Sequence, residues 1–176
     1  MDFETVLVTF VERLEKEEVR HVIVGGLAVH AWGRTRPTRD ADFAVDREHQ
    51  QRVLAITESL GYRTVFASDA FSNHEHANPR WGHVDFMYLK GPTATAIFEA
   101  AVMKPLLRDR QLPVASPEHL AMMKAVAMKN FPHRTLYEGD DVRQLLDVPG
   151  VDRDSIREFF DRHGMLELFD AIEKNR

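Results

Sequence analysis

Hydrophobic positions near the start of the chain recur at helical spacing. Phe3, Val6, Leu7, Phe10, Val11 and Leu14 form one apolar stripe, which predicts a helix over residues 2–18 that packs on a core. The pattern then shifts to His21-Val22-Ile23-Val24, β-branched and closed by Gly25-Gly26, which predicts a buried strand ending in a glycine turn. Leu27 to Trp32 reads as a short helix stopped by Gly33. Asp40 to Val45 largely alternates polar with apolar and predicts a strand. Val53, Leu54, Ile56, Thr57 and Leu60 place a helix within Arg47 to Leu60, ended by Gly61, and Tyr62 to Phe66 predicts a third strand. Ser68 to Trp81, which contains His74-Glu75-His76 and Asn78-Pro79, reads as a loop. From Gly82 to Leu89 the alternation returns, giving a strand with His83, Asp85 and Met87 on one face.

Beyond residue 116 the strand-like runs stop. Pro117 to Met128, Asp140 to Leu146, Asp152 to His163 and Met165 to Ile172 all carry helical patterns. The expected fold is therefore α+β, a mixed β-sheet with flanking helices at 1–115 followed by a helical C-terminal region at 116–176. Composition narrows the chemistry. At 176 residues, 44% hydrophobic and 29% charged, the chain has ordinary globular composition. No cysteine is present, so disulfides, thiolate metal sites and a thiol nucleophile are excluded. Lys and Arg number 23 against 28 Asp and Glu, which disfavours a surface built for tight, unspecific nucleic-acid binding. The start Met1-Asp2-Phe3-Glu4 lacks a secretory pattern and no apolar run is long enough to span a membrane, so a cytoplasmic protein is expected.

The segment that carries chemistry is Gly25-Gly26, thirteen residues, then Asp40-Ala41-Asp42. On a strand, Asp40 and Asp42 project to the same side about 6–7 Å apart, while Ala41, Phe43 and Val45 face the core. Two carboxylates so placed repel unless a cation compensates, and Mg²⁺ (or Mn²⁺) is the natural one because it prefers hard oxygen ligands together with substrate phosphates. Asp85 adds a third acid if its strand neighbours that of Asp40 and Asp42, able to hold a second ion or to accept a proton. A glycine turn at a helix start offers unobstructed backbone N–H groups to a triphosphate. A dinucleotide loop is excluded at the same place, since only Gly33 follows Gly25-Gly26 and the G-x-G-x-x-G spacing is absent.

These residues resemble the nucleotidyltransferase superfamily of polymerase β-like fold: an apolar strand ending in Gly25-Gly26, then Arg36-x-Thr38-x-Asp40-x-Asp42-Phe43, then an apolar-flanked Asp85. The likeness covers about residues 20–90 and is closest to the abortive-infection toxin-type and minimal nucleotidyltransferases, with related antibiotic-modifying enzymes nearby. Pro117-Glu118-His119-Leu120 with Lys124 extends it more weakly. The resemblance implies metal-dependent transfer of a nucleoside monophosphate from an NTP to an acceptor, with release of pyrophosphate. It implies Asp40, Asp42 and Asp85 as catalytic metal ligands and Gly25, Gly26, Arg36, Thr38 and Lys124 as nucleotide-binding residues. Many relatives have Gly-Ser where this chain has Gly-Gly, and a larger residue than Ala41 between the acids; neither change removes a ligand. The acceptor is open among an RNA such as tRNA, a protein and a small molecule, in a setting that includes a cognate toxin or antitoxin.

Two other readings stand beside this one. The first is a non-catalytic, antitoxin-like binding module of the same fold. The second takes His74, His76, His83 and Asp85 as imidazole-rich metal ligands of a hydrolase, against the plain alternative of a solvated polar loop beside a strand. Lys124 on an amphipathic helix is also consistent with a solvent-facing position.

Overall fold

In the computed structural model, which describes residues 1–33, 38–107 and 110–174, the N-terminal stripe forms α1 (Phe3–Lys16) and the next apolar run forms β1 (His21–Ile23). The chain continues through α2 (Gly25–Ala31), β2 (Asp40–Asp46), α3 (Gln50–Ser59), β3 (Tyr62–Ala67), β4 (Phe71–His76), β5 (His83–Leu89), α4 (Gly91–Glu99), β6 (Val102–Leu107) and β7 (Arg110–Val114). Four helices follow: α5 (Pro117–Asn130), α6 (Thr135–Leu145), α7 (Arg153–Arg162) and α8 (Leu166–Lys174). The architecture is mixed α and β, as the alternation of periods predicts.

The strands make one seven-stranded mixed sheet in the order β3-β4-β5-β2-β1-β7-β6. β1 runs antiparallel to β2 and parallel to β7, and β2 runs parallel to β5. One face is closed by α1, whose Phe10 ring lies 5.3–5.9 Å from those of Phe43, Phe86 and Tyr62. Those rings are buried because Phe43 and Phe86 alternate with the acids on β2 and β5 and so point the other way. The helix α2 packs on β2.

The stretch expected to be a loop, Ser68 to Trp81, contains β4 instead, paired on one side with β3 and on the other with β5. Its inward residues, Ser72 and His74, are polar, so the alternation carries no hydrophobic signal. Both are fully buried and satisfied. Ser72 Oγ lies 2.7 Å from Tyr88 Oη and 2.8 Å from His74 Nε2, while His74 Nδ1 lies 3.1 Å from Thr64 Oγ1. Burial depresses the His74 pKa to about 4, so the ring is neutral at pH 7. Irregular backbone remains at residues 68–70, between β3 and β4, and at the end of the stretch, where Asn78 Oδ1 accepts from the Arg80 N–H.

Two units form: Met1–Ala31 with Thr35–Ala115, and Trp32–Arg34 with Ser116–Arg176. The second is helical around Leu120, Val142, Leu145, Ile156, Phe160 and Phe169. Ser116 caps α5, its hydroxyl accepting from the His119 N–H at 3.3 Å, ahead of Pro117 in the first turn. No helix among the described residues is long and apolar enough to cross a membrane.

Candidate active site

The acids converge through strand register. Asp42 pairs with Asp85 and Asp40 with His83 across the parallel β2 and β5, strands separated by about 4.8 Å. Asp40, Asp42, Asp85 and His83 therefore share one face of the sheet, opposite the Phe43 and Phe86 face. All three acids are partly exposed, as groups that meet a substrate must be.

The glycine turn reaches the same place. The Val24 N–H donates to the Asp42 carbonyl at 3.0 Å, tying the end of β1 to β2. Gly25 follows with φ +63°, a left-handed conformation open to glycine at little strain. Its missing side chain is required a second time: a Cβ built there would overlap the Asp42 carboxyl and fall 2.7 Å from the Asp42 Cβ. The start of α2 thus lies directly against Asp42. Thr38 sits just ahead of the acids, its hydroxyl donating to the Asp40 carbonyl at 3.3 Å.

Asp85 is the group whose titration the site perturbs. Burial raises its pKa, opposed by the Asn73 side chain facing it from β4; the Asp40 charge raises it further, and His83 and the His74 backbone N–H oppose. Asp85 is thereby poised closer to neutral pH than an ordinary carboxylate, a useful property in a proton acceptor. Among the described residues, no three His, Asp or Glu side chains are gathered tightly enough to hold a metal ion as they stand. The donor set still suits a hard divalent cation: three carboxylates on one face, with no sulfur.

Arg36 lies outside the described residues. Lys124 belongs to the second unit and is not solvent-facing: it is 8% exposed, with Nζ 2.5 Å from Glu138 and 2.9 Å from Asp141. Arg134 also pairs with Glu138. The histidines do not form a centre. His74 pairs with Val84 on the core face, whereas His83 projects with Asp85 on the other, and His76 stacks on Trp81 with ring centroids 5.6 Å apart. Asn73, opposite Asp85, was not among the residues singled out from sequence, because β4 itself carried no strand signal.

A mixed sheet that sets two acids of one strand beside a third on its parallel neighbour, at the mouth of a glycine turn, defines the nucleotidyltransferase class. Within that superfamily, the chain belongs to the aminoglycoside-2''-adenylyltransferase family, whose model matches residues 6–93. Three solved structures share the fold. ANT(2'')-Ia in complex with adenylyl-2''-tobramycin is 18% identical, with 93% of this chain and 99% of that one covered at a TM-score of 0.73. The lincomycin-bound lincosamide antibiotic adenylyltransferase LnuA is 20% identical, with coverage of 82% and 97% and a TM-score of 0.60. An antigenic nucleotidyltransferase-like protein from Paracoccidioides brasiliensis is 12% identical, with coverage of 98% and 92% and a TM-score of 0.59. No curated protein matches the chain at a significant level.

Proposed function

We propose that this protein is a Mg²⁺-dependent nucleotidyltransferase that moves the adenylyl group of ATP to a hydroxyl of a small molecule. The observation that carries the proposal is the register of Asp42 against Asp85, with Asp40 two residues away and Gly25 beneath Asp42. The acceptor oxygen attacks the α-phosphorus as the bond to the β-phosphate bridging oxygen breaks, and pyrophosphate leaves. Asp85 takes the hydroxyl proton, its raised pKa matching that role. Gly25 and Gly26 let backbone N–H groups approach the triphosphate, with Arg36 and Thr38 as further nucleotide contacts. Asp40, Asp42 and Asp85 would hold the divalent ion, which when bound neutralises phosphate charge.

An antibiotic acceptor is favoured over RNA or protein, because two of the fold relatives act on antibiotics and 28 acids against 23 bases disfavour tight, unspecific RNA binding. A toxin or antitoxin partner forms no part of the proposal. The test is to incubate the protein with α-labelled ATP, Mg²⁺ and either lincomycin, tobramycin or bulk tRNA, and to follow label transfer and pyrophosphate release. Transfer to a small molecule is expected, lost on chelation and reduced at least about 100-fold in Asp42→Asn. Undiminished transfer by that variant, or with excess chelator, would overturn the metal assignment.

A further inference from the structure

Asp85 stands in a row across the sheet: Phe66 on β3, Asn73 on β4, Asp85 on β5 and Asp42 on β2, each level with the next. Its two flanks are therefore unlike. Asp42 presents a like charge from one side and Asn73 a neutral amide from the other, each at the spacing of neighbouring strands, about 4.8 Å. The Asn73 side chain hydrogen-bonds the Asp85 carboxyl. An ionised carboxylate only accepts, so Nδ2 of Asn73 is the donor. The neighbours leave that amide to Asp85. Phe66 brings an apolar ring, the next pair toward one end of the strands is Phe71 with Met87, and Glu75 toward the other end is paired with Arg63.

β4 is built to hold Asn73 in that place. The residues on either side of it, Ser72 and His74, are fully buried and point the other way. Ser72 Oγ lies 2.7 Å from Tyr88 Oη on β5, and His74 Nδ1 lies 3.1 Å from Thr64 Oγ1 on β3. The strand is thus pinned to both of its neighbours at the two positions that bracket Asn73. Apolar residues there would fill the space in more than one register, whereas a satisfied polar pair specifies one. A slip of β4 by one residue would break both contacts and turn Asn73 into the core.

We infer that Asn73 is the positioning residue of Asp85: its amide engages one carboxyl oxygen from the β4 side and leaves the other for the acceptor hydroxyl. This rests on the nucleotidyl-transfer reading above. A neutral donor suits the task, because it orients the carboxylate without supplying the positive charge that belongs to the divalent ion. A lysine or arginine at this position would neutralise Asp85 and compete with the metal, and an aspartate would repel it. Hydrogen-bond partners of this kind, one step removed from the reacting atoms, are worth about 10–100-fold in activity.

The experiment compares the full chain with Asn73→Leu and Asn73→Asp, both close in size to asparagine. Pyrophosphate release is followed with ATP, Mg²⁺ and whichever of tobramycin and lincomycin the wild type adenylylates. Both variants are expected to lose about 10–100-fold in kcat, with KM for ATP and for the acceptor within about twofold of wild type and the urea midpoint unchanged. A second readout needs no turnover. The Asn73 side-chain amide signal in proton–nitrogen NMR, identified by its loss in Asn73→Asp, should stand downfield in the wild type and move upfield in Asp85→Leu. An unmoved amide signal overturns the inference. So does wild-type kcat in Asn73→Leu, even where Asn73→Asp is slow, because charge and not orientation would then be at work. Loss through KM alone in both variants, or a lowered midpoint with the kcat of the folded protein kept, also overturns it. If the wild type binds ATP with Mg²⁺ yet uses neither antibiotic, the amide signal decides. If it binds no ATP with Mg²⁺, the nucleotidyl-transfer reading fails first and the inference falls with it; an amide signal that still moves in Asp85→Leu separates that failure from failure of the Asn73 contact.

Discussion

Gly25→Ala is the sharpest probe of the site, because Gly91→Ala controls for it. Both glycines open a helix and both have left-handed backbone, φ +63° and +61°. An alanine in that conformation costs about 1–2 kcal/mol in either place. They differ in what surrounds them. A Cβ at Gly91 meets nothing within 4 Å, whereas one at Gly25 would fall 2.7 Å from the Asp42 Cβ. Rotation of Asp42 cannot relieve that contact, since its Cβ is fixed by the backbone of β2. Restoring an ordinary separation of 3.4 Å or more requires β2 or the start of α2 to move by at least 0.7 Å (3.4 minus 2.7). Such overpacking adds about 1–3 kcal/mol, so urea unfolding should place Gly25→Ala about 2–5 kcal/mol below wild type and Gly91→Ala only about 1–2 kcal/mol below. A misplacement near 1 Å at reacting groups costs about 100-fold in rate, so nucleotidyl transfer by folded Gly25→Ala should fall by that order while Gly91→Ala stays near wild type. Equal stability losses in the two variants, with activity kept in both, would refute the seating of Asp42 on Gly25.

Stability should also depend on pH through His74, whose folded pKa of about 4 lies below the ordinary histidine value of 6.5. The unfolded chain then binds the extra proton, so the contribution is present above pH 6.5 and is lost as pH falls toward 4; going from pH 7 to pH 5 should remove roughly 2 kcal/mol. His74→Asn should flatten that part of the slope in urea titrations, and an unchanged slope would show that the ring is not buried neutral. Lys124→Met leaves Glu138 and Asp141 buried with one cation fewer and should destabilise the helical unit by about 3 kcal/mol or more, read as a shift of its unfolding midpoint; a loss below about 1 kcal/mol would mean the cluster is hydrated. Phe10→Ala, at the centre of the rings on β2, β3 and β5, should cost about 3–5 kcal/mol, and a smaller loss by calorimetry would mean that α1 is not the cover of that face.

The acid cluster was legible because it uses the strand period. Asp40 and Asp42 alternate with buried Ala41 and Phe43, and Asp85 alternates with buried Val84 and Phe86, so both signals survive in one dimension. β4 was illegible for the opposite reason. Its inward positions are Ser72 and His74, and what makes them tolerable, Tyr88 Oη and Thr64 Oγ1, lies 16 and 10 residues away along the chain. With β4 hidden, Asn73 opposite Asp85 and the pairing of Phe71 with Met87 were hidden too. Lys124 shows the same limit for charge. A lysine on a helix reads as solvated until α6 brings Glu138 and Asp141 onto it. Polar groups satisfied at long range leave no local pattern.

Asp42 is where the fold and the site depend on each other. Its carbonyl accepts from the Val24 N–H, its strand position pairs with Asp85, and its side chain lies against Gly25. A slip of β2 by one residue would turn Ala41 and Phe43 outward and send both acids into the rings under α1, since side chains alternate with period 2. Burying two carboxylates there would cost several kcal/mol, and Phe43 would lose its contacts with Phe10 and Phe86. The hydrophobic core therefore enforces the register that brings Asp42 level with Asp85. Substitutions that shrink Phe43 should loosen that register, lowering transfer activity without touching an acid.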